Sequence, residues 1–426
     1  MIVLRARDVL PVGQPAIHNG AVGISRNRIV AVGRWRDLSK RHAERTFDLG
    51  SVVLLPGLVN AHCHLDYTHM AGEFPPPTVF TDWLRMIVES KSGWNISDYK
   101  ESWLSGAQML VRTGTTTVGD IEAIPQLLPE MWYSTPLRVL SFLEMIGFTK
   151  KRQPRAILRE TMSHIRKLKH PRCRFGLSPH APYSTTSELL KLSADIAKRR
   201  RWRVCTHVSE SSLEFQMFGQ AHGEMHAWMA RSGRDLADCG IGSPVRHLKR
   251  SGLLNENLLA VHLNYLARGD VQLLEKSKAH VVHCPRSHHY FRHAPFQLRK
   301  LARAGVNICL GTDSLASVYK QRRQNIELSM FAEMSTLAHR ESWLHPRAIL
   351  RMATINAGRA LGFSGLVGEL REGAAADLIA IPSTHESRNI YDAIVHHQGH
   401  VAASMIDGNW AVAPAEVQAE STQLWQ

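Results

Sequence analysis

Several features that would assign the chain to a special class are missing from its sequence. No apolar run reaches the roughly 18 residues that a membrane span requires. The first residues lack the basic and then apolar layout of a secretion signal, because Arg5 and Arg7 interrupt any apolar core. Internal repeats and low-complexity stretches are also absent. We therefore expect a cytoplasmic protein with no membrane partner.

Cysteine is scarce, and its spacing does not suggest pairing. The six cysteines lie at positions 63, 173, 205, 239, 284 and 309 and form no CxxC pair. Three of them, Cys205, Cys284 and Cys309, lie in short apolar runs that are typical of buried strands. A disulfide framework is not expected in a chain of this size and kind. The pattern favours free buried thiols in a reducing compartment.

Acidic residues are outnumbered, with 37 Asp and Glu against 52 Lys and Arg, which gives a formal net charge of +15. Such a surplus raises the hypothesis of nucleic-acid binding. The densest basic clusters, at 150–152, 166–174 and 198–203, lie on or beside predicted surface helices. They are not interleaved with aromatic residues as a base-stacking platform is. We interpret them as solvated surface and expect no nucleic-acid partner.

The composition is that of a globular protein, with 44% hydrophobic and 21% charged residues over 426 positions. From residue 55 to about 365, short apolar runs alternate with segments of helical periodicity. Eight apolar runs are predicted strands: Leu55–Leu65, Thr116–Asp120, Leu137–Glu144, Cys173–His180, Arg203–Glu210, Leu258–Asn264, Ala279–Pro285 and Val306–Asp313. The clearest predicted helices are Asp98–Arg112, Ala156–Leu168, Ser187–Lys198 and Leu213–Arg231. Eight strand and helix units predict an α/β fold, a (β/α)8 TIM-type barrel.

The two ends of the chain differ from the middle. Short β-prone runs, Ala21–Ser25 and Arg28–Gly33, precede the barrel, and Asp377–Ile381 and Val401–Gly408 follow it. We expect residues 1–54 and 366–426 to pair into one small discontinuous β-sandwich domain beside a barrel of residues 55–365. Two unrelated terminal extensions are the alternative.

Side chains at the carboxyl ends of barrel strands converge on one site. The first run ends with His62 and His64, which alternation places on one face while Cys63 turns away. The fifth run brings His207, and the eighth ends at Asp313. One such histidine alone is more often a core residue than a ligand. Ligand-type residues at several strand ends instead indicate a metal centre.

Three imidazoles and one carboxylate suit Zn²⁺ with an open position for water. Iron and manganese are alternatives, because ligands of this kind do not strongly exclude them. The fourth run, 173–180, contains no lysine that could be carbamylated to bridge two metals. We therefore predict one divalent metal ion, held by His62, His64, His207 and Asp313.

These residues lie within longer motifs that resemble the amidohydrolase superfamily. The motifs are Pro56-Gly57-Leu58-Val59-Asn60-Ala61-His62-Cys63-His64, Gly114-Thr115-Thr116-Thr117, Thr206-His207-Val208-Ser209-Glu210, His283-Cys284-Pro285-Arg286-Ser287 and Gly311-Thr312-Asp313-Ser314. The nearest branch is that of the S-adenosylhomocysteine/methylthioadenosine, cytosine and chlorotriazine deaminase-like enzymes. The segment from Ala353 to Leu378 looks like the C-terminal signature of that branch.

Within the branch, three short motifs look most like aminodeoxyfutalosine deaminases of menaquinone biosynthesis. They are His64-Leu65-Asp66, Trp83-Leu84 and Cys284-Pro285-Arg286-Ser287. The chain departs from the usual pattern at His288, where an asparagine is expected after the serine. The resemblance also implies a homo-oligomer, because barrel enzymes of this branch often form dimers or larger assemblies.

The expected chemistry is hydrolytic deamination, in which the metal site lowers the pKa of water toward 7. Asp313 is predicted to help remove the proton of that water. His262, from the sixth run, is predicted to steady the attacked centre as charge develops. Glu210 lies three residues after His207, a spacing that resembles the proton shuttle of the deaminases. It is predicted to deliver a proton to a ring nitrogen, with an orienting role as its alternative.

Three residues are candidates for substrate contact. The resemblance suggests this role for His180, which ends the fourth run, with capping of the next helix as its alternative. Trp83 and Arg286 are candidates by position only. The alternatives are core packing for Trp83 and a surface ion pair for Arg286. Asp66 either contacts substrate or fixes its loop, and the sequence does not separate the two.

The sequence therefore predicts a hydrolase of carbon–nitrogen bonds in cyclic amidines, acting on the adenine ring of a small nucleoside-like molecule. Aminodeoxyfutalosine is the first candidate substrate, followed by S-adenosylhomocysteine or methylthioadenosine. Dechlorination of a chlorotriazine is the alternative reaction, since the same geometry of attack serves it. A catalytically inactive barrel kept as a scaffold is the alternative from another class.

Overall fold

The structure is a computed structural model that describes residues 1–40, 43–149, 151–321, 324–383 and 389–415. Lys150, a member of the first basic cluster, lies outside the described residues. The described chain begins with five strands: β1 (Ile2–Val9), β2 (Ile17–Ser25), β3 (Arg28–Arg34), β4 (Arg45–Asp48) and β5 (Val52–Pro56). The predicted runs at 21–25 and 28–33 lie within β2 and β3.

Eight parallel strands follow and form the barrel. They are β6 (Leu58–Cys63), β7 (Thr115–Glu122), β8 (Arg138–Met145), β9 (Arg174–Pro179), β10 (Val204–Val208), β11 (Leu258–His262), β12 (His280–His283) and β13 (Asn307–Leu310). Each strand pairs with the next in sequence. A single parallel bridge between Cys63 and Asp313 joins the last strand end back to the first. The predicted (β/α)8 barrel is confirmed.

The barrel strands are almost entirely buried, which explains why they read as continuous apolar runs in the sequence. The first predicted run, Leu55–Leu65, is in fact two elements. Leu55 belongs to β5 of the terminal sheet, and β6 begins at Leu58. Pairing of β5 with β1 and with a C-terminal strand draws this part of the run away from the barrel.

Helices pack between and around the strands. They are α1 (Trp35–Leu38), α2 (Phe80–Ser92), α3 (Ile96–Arg112), α4 (Leu128–Met131), α5 (Pro154–Ile165), α6 (Ser187–Arg200), α7 (Ser212–Gln220), α8 (Glu224–Arg231), α9 (Pro244–Arg250), α10 (Asp270–Ser277), α11 (Pro285–Tyr290), α12 (Leu298–Arg303), α13 (Met330–Arg340), α14 (Pro346–Met352), α15 (Ile355–Ala360) and α16 (Ile390–Val395). In the described part of the chain, none of them is long and apolar enough to cross a membrane.

One predicted helix, Leu213–Arg231, was wrong as a single element. The structure divides it into α7 and α8, because Ala221 and Gly223 adopt positive φ angles of 52° and 95°. Left-handed residues satisfy the last carbonyls of a helix and prevent its continuation. Helix α3, by contrast, starts two residues before its predicted start, where Asn95 and Asp98 form a reciprocal capping box.

The two ends of the chain share one sheet. Three C-terminal strands, β14 (Leu378–Pro382), β15 (Ala403–Ile406) and β16 (Asn409–Val412), extend the N-terminal strands. The hydrogen-bonded order is β16-β15-β14-β5-β1-β2-β3, and β4 pairs with β1. The expected pairing of the two ends is therefore present, whereas the division at residues 54 and 366 and the sandwich arrangement stay predictions. All six cysteines are buried and unpaired, as expected.

A buried ion pair connects the barrel to the terminal sheet. Arg138, the first residue of β8, places Nε 3.0 Å from Asp377 Oδ2 and Nη2 3.3 Å from Asp377 Oδ1. The side chains of the two partners are only 6% and 1% exposed. Asp377 Oδ1 also accepts the backbone N–H of Asp407 at 2.7 Å. This contact gives a structural reason for an aspartate in the C-terminal motif.

We predict that Asp377→Asn lowers the free energy of unfolding by about 3 kcal/mol, because the buried Arg138 guanidinium then keeps only one charged partner, the less buried Asp407 at 3.3 Å. Urea unfolding of the variant and the parent protein measures this difference. Asp48→Asn is the matched control, since its ion pair with Arg5 is exposed and worth at most about 1 kcal/mol. Equal losses in the two variants would contradict the prediction.

Candidate metal centre and active site

His62 and His64 reach the mouth of the barrel from the end of β6. Both imidazoles are buried, and their ring centroids lie 5.0 Å apart. Cys63, between them, points away and packs in the main apolar core. The alternation predicted from the sequence is therefore what the structure contains.

His207 comes from β10 on the other side of the barrel mouth. Its Nδ1 lies 2.9 Å from the carbonyl oxygen of His180 and donates to it. This hydrogen bond fixes the tautomer and leaves the Nε2 lone pair of His207 free, which is the usual arrangement for a metal-binding histidine. The free Nε2 lies 3.2 Å from Nε2 of His64.

Asp313 brings a carboxylate to the same point, two residues beyond Gly311. Its Oδ1 lies 3.6 Å from Nε2 of His62 and 3.8 Å from Nε2 of His64, and its Oδ2 accepts a hydrogen bond from Ser317 Oγ at 3.0 Å. Gly311 permits this approach, because a Cβ there would lie 2.7 Å from the carbonyl oxygen of His62.

The donor set fits a divalent transition metal. Two ligands bound tetrahedrally at about 2.1 Å from one ion are about 3.4 Å apart, close to the measured separations. His62 Nε2 is buried and has no hydrogen-bond partner among the described residues. Burial and the neighbouring histidines lower the pKa of His64 well below its usual value and that of His207 to about 3. Neutral imidazoles are the form that binds metal.

His262 ends β11 beside this cluster. One of its ring nitrogens lies within 4.8 Å of the ligand atoms of His62 and Asp313, so distance alone also makes it a candidate ligand. Its φ angle is 75°, and Asp313 has a φ of 56°. A positive φ is uncommon for residues other than glycine, although Asp and His adopt it more readily than most, and such conformations concentrate at functional sites.

Glu210 lies next to His262. Its Oε1 is 3.5 Å from Nε2 of His262, and the residue is 6% exposed. Burial raises the pKa of the Glu210 carboxyl well above its usual value, and the charges of Asp313 and Glu214 act in the same direction. A carboxyl in these surroundings favours its protonated form, which is what a proton donor requires.

Neighbouring side chains fix the backbone on which Glu210 stands. Glu214 Oε2 accepts the backbone N–H of Glu210 at 2.9 Å, and Asn264 Nδ2 donates to the Glu210 carbonyl at 2.9 Å. Glu214 is fully buried at the start of α7. Its burial raises its pKa to about 7, although backbone N–H groups partly offset the rise.

The raised pKa of Glu214 predicts how the stability of the fold changes with pH. The folded protein holds a proton on Glu214 up to about pH 7, whereas the unfolded chain releases it near the ordinary pKa of 4.5. The folded state then binds more protons in this window, so the free energy of unfolding falls as pH rises from 4.5 to 7. Glutamine cannot titrate, so Glu214→Gln removes this dependence. Between roughly pH 5 and pH 8, the free energy of unfolding should fall by about 2–3 kcal/mol more in the parent protein than in the variant. Urea unfolding of both proteins at the two pH values tests the prediction. Equal changes in the free energy of unfolding of the two proteins would contradict it.

His180 also faces the cluster, from the end of β9. Its ring centroid lies 4.8 Å from that of His207, its Nδ1 is 2.6 Å from Ser184 Oγ, and its Nε2 is 3.9 Å from Glu144 Oε1. Burial, with the positive charge of Lys91, lowers the pKa of His180 to about 4. The neutral ring is thus available for a hydrogen bond, and substrate contact stays a prediction.

The other two candidates for substrate binding lie outside the cluster. Trp83 is 8% exposed and donates its indole N–H to the carbonyl oxygen of Ala316 at 3.2 Å. It packs in an apolar cluster with Phe80 and Phe291. Arg286 Nη1 donates to the Glu327 carbonyl at 2.8 Å. Substrate binding by Trp83 and Arg286 stays a prediction.

Arg286 also has a charged neighbour, since its Nε lies 3.8 Å from Glu333 Oε1. The Arg286 side chain is 13% exposed and that of Glu333 is fully buried. The contact is therefore a partly buried ion pair rather than the surface ion pair considered from the sequence.

The sequence reasoning missed several supporting residues. Asn60 Oδ1 accepts the backbone N–H groups of His62 and Thr312, and so ties the two ligand-bearing strand ends together. Asn60 lies within the first motif, although that motif did not indicate its role. Glu144 ends the third predicted run, so the strand-end rule would have found it. Nothing in the sequence alone singled out Ser317.

Comparisons with known proteins bear on this site. Residues 53–411 match the sequence model described as "Amidohydrolase family". A curated relative, the 5-methylthioadenosine/S-adenosylhomocysteine deaminase of Syntrophobacter fumaroxidans, is 34% identical over 375 residues, which cover 85% of this chain and 80% of the relative.

Two solved structures share the fold over nearly the whole chain. An adenosine deaminase from Xanthomonas campestris with bound zinc superposes with a TM-score of 0.84 at 24% identity, covering 100% of this chain and 97% of that one. The aminofutalosine deaminase of Helicobacter pylori, in complex with methylthio-coformycin, gives a TM-score of 0.82 at 20% identity and covers 97% and 100%. At such identities the likeness shows the fold alone.

Proposed function

The chain belongs to the amidohydrolase family, and from this premise we propose that it is a metal-dependent hydrolytic deaminase of the adenine ring in nucleoside-like molecules. The predicted family resemblance is confirmed. The observation that carries the proposal is the convergence of three imidazoles and the Asp313 carboxylate beside a buried Glu210. Deamination of a ring amidine needs an activated water and a proton donor at one place, and this arrangement supplies both.

We assign His62, His64, His207 and Asp313 as the residues that hold one divalent ion. Zinc is the proposed metal, because the ligand set suits it and the adenosine deaminase with the same fold was crystallised with bound zinc. Iron and manganese are the alternatives. When bound, the ion supplies Lewis-acid activation of water at neutral pH.

Three side chains carry out the proton transfers and hydrogen bonding of the proposed reaction. Water adds to the ring carbon that carries the exocyclic amine, and Asp313 helps to accept its proton. Glu210 delivers a proton to the neighbouring ring nitrogen. His262 donates a hydrogen bond where negative charge develops. The amine then takes up the proton held by Asp313 as the carbon–nitrogen bond breaks, and ammonia leaves. The added hydroxyl returns its proton to Glu210, and the ring keeps a carbonyl oxygen that came from water.

The substrate class is an adenine nucleoside with a variable group on its sugar. The relative from Syntrophobacter fumaroxidans is named for 5-methylthioadenosine and S-adenosylhomocysteine, which favours these two compounds. Aminodeoxyfutalosine, favoured by the short motifs, is the other candidate. A place in menaquinone biosynthesis, the cytoplasmic location and a homo-oligomeric state stay predictions.

Ammonia release across a small panel of compounds tests the proposal. The panel contains aminodeoxyfutalosine, S-adenosylhomocysteine, methylthioadenosine, adenosine and a chlorotriazine. We expect ammonia from at least one adenine nucleoside and no chloride from the triazine. Chloride release without ammonia would instead establish the dechlorination alternative.

Two further measurements address the alternatives from other classes. A scaffold protein need not carry stoichiometric metal, so elemental analysis that finds no bound ion would favour it. Binding to nucleic acid through the basic clusters would weaken steeply with salt. Filter binding that retains no nucleic acid at low salt would exclude that role.

A further inference from the structure

Among the residues that the structure describes, no hydrogen-bond partner faces the buried carboxylate of Asp66, which follows the proposed ligand His64. Asp66 is 2% exposed, and neither of its carboxylate oxygens accepts a hydrogen bond from another described residue. A buried carboxylate without hydrogen bonds is costly. Its position, two residues after His64, suggests that a ligand supplies the missing donors.

Asp66 does not hold its own loop in place. Asp120 Oδ1 accepts the backbone N–H of Leu65 at 3.0 Å, and Ser102 Oγ donates to the backbone carbonyl of Asp66 at 2.8 Å. Ser102 Oγ also accepts the backbone N–H of His69 at 3.0 Å. The loop is therefore fixed through its backbone by Asp120 and Ser102, and the Asp66 side chain is left free for another role.

Other polar groups surround the same space. Lys91 Nζ donates to the Tyr67 hydroxyl at 2.8 Å, and the ring of Tyr67 stacks on His64 with 5.1 Å between centroids. Glu144 approaches His180 from the end of β8, and the buried hydroxyl of Tyr183 has no partner among the described residues. The charges of Lys91 and Glu144 both act on the Asp66 carboxyl group, so both side chains lie near it.

We propose that Asp66, assisted by Glu144, forms a subsite that accepts hydrogen bonds from the sugar hydroxyls of the substrate. Neighbouring hydroxyls present two O–H donors, which match the two oxygens of one carboxylate. Asp66 follows β6 and Glu144 lies at the end of β8, whereas Glu210 follows β10 and His262 ends β11 across the barrel mouth. The adenine ring then lies toward Glu210 and the sugar toward Asp66.

This inference rests on the proposed function and narrows it to ribonucleosides. A substrate without hydroxyl donors, such as a triazine or a free base, would leave the buried carboxylate unpaired. A site built to bind a hydroxyl discriminates strongly against analogues that lack it. The subsite is thus a specificity determinant for the sugar, and the chemical step does not use it.

Kinetics with Asp66→Asn test the subsite. In the parent enzyme we expect kcat/KM for adenosine to exceed that for 2′-deoxyadenosine and 3′-deoxyadenosine at least about tenfold. Asp66→Asn should lower kcat/KM for adenosine about 10- to 100-fold and leave 9-methyladenine within about twofold. Glu144→Gln should produce a smaller loss of the same kind. Asp195→Asn, an exposed carboxylate on α6, is the matched control and should change nothing.

Binding of the reaction product gives a readout that is independent of turnover. Calorimetry should show that inosine binds the parent enzyme at least about tenfold more tightly than 2′,3′-dideoxyinosine, and that Asp66→Asn abolishes this ratio. Thermal unfolding of the free variant checks its folding. We expect no loss of melting temperature, because the side chain accepts no hydrogen bond from another residue in the part of the chain that the structure describes.

The results of these experiments distinguish a failure of the sugar subsite from a failure of the deaminase proposal. Equal losses for adenosine and 9-methyladenine, or an inosine preference that survives Asp66→Asn, would overturn the sugar subsite and leave the deaminase proposal standing. No ammonia from any adenine derivative, together with inosine binding that depends on Asp66, would overturn the deaminase proposal and leave the subsite. A variant that melts well below the parent protein would show that Asp66 has a structural role and would also overturn the subsite.

Discussion

Glu210→Gln is expected to lower kcat about 10²- to 10⁴-fold with adenine nucleosides, while the metal content stays unchanged. The amide keeps the size and shape of the side chain but cannot deliver a proton to the ring nitrogen. Glu210 is buried, and its Oε1 lies 3.5 Å from His262. Its surroundings raise the pKa of the carboxyl, so the parent enzyme holds the proton that the variant lacks. Steady-state kinetics of ammonia release measure the loss.

The alternative role of Glu210, orienting a neighbour, predicts a different result. An amide of the same shape, at the same distance from His262, would then retain most of the activity. Glu275→Gln, on the exposed face of α10, makes the same chemical change away from the site and serves as the control. If Glu210→Gln keeps kcat within about fivefold of the control, Glu210 is not the proton donor.

Asp313→Asn is expected to reduce both bound metal and kcat/KM, the latter by at least about 10³-fold. The substitution removes the only carboxylate of the four proposed ligands and keeps the side-chain shape. Asparagine tolerates the positive φ of 56° at this position, so the backbone should hold. Elemental analysis and kinetics on the same preparation measure both effects.

Ser317→Ala provides a graded comparison for Asp313. It removes the hydrogen bond of 3.0 Å to Asp313 Oδ2 and leaves the carboxylate in place. Loss of such an orienting contact typically costs about 10- to 100-fold in metal affinity or activity. An Asp313→Asn variant with full metal content and activity would remove Asp313 from the proposed ligand set.

The fold could be predicted from the sequence where the strands are completely buried. Strands inside a barrel are covered on both sides, so all eight appeared as apolar runs near their observed positions. The failures occurred where local backbone geometry or pairing decided the outcome. The break depends on Ala221, which ends α7 in the left-handed conformation, and on Gly223, which precedes α8 with a positive φ. The transfer of Leu55 to the terminal sheet depends on a C-terminal partner, β14, far away in sequence.

The proposed metal ligands could be named from the sequence for a related reason. The strand-end rule turns a fold prediction into a list of residues that must meet, and the structure brings His62, His64, His207 and Asp313 within a few ångströms. The same rule also covers Glu144, which ends the third predicted run. The role proposed for Asp66 could not be inferred from the sequence, since the proposal rests on the hydrogen bonds that its side chain lacks among the described residues.

The central claim is that side chains from β6, β10 and β13 together hold one divalent ion. Elemental analysis of the purified protein, run beside a His64→Ala/His207→Ala double variant, tests it most directly. We predict about one equivalent of zinc, or of iron or manganese, per chain in the parent protein and almost none in the variant. A parent protein without stoichiometric metal, or a variant that keeps its full content, would contradict the claim.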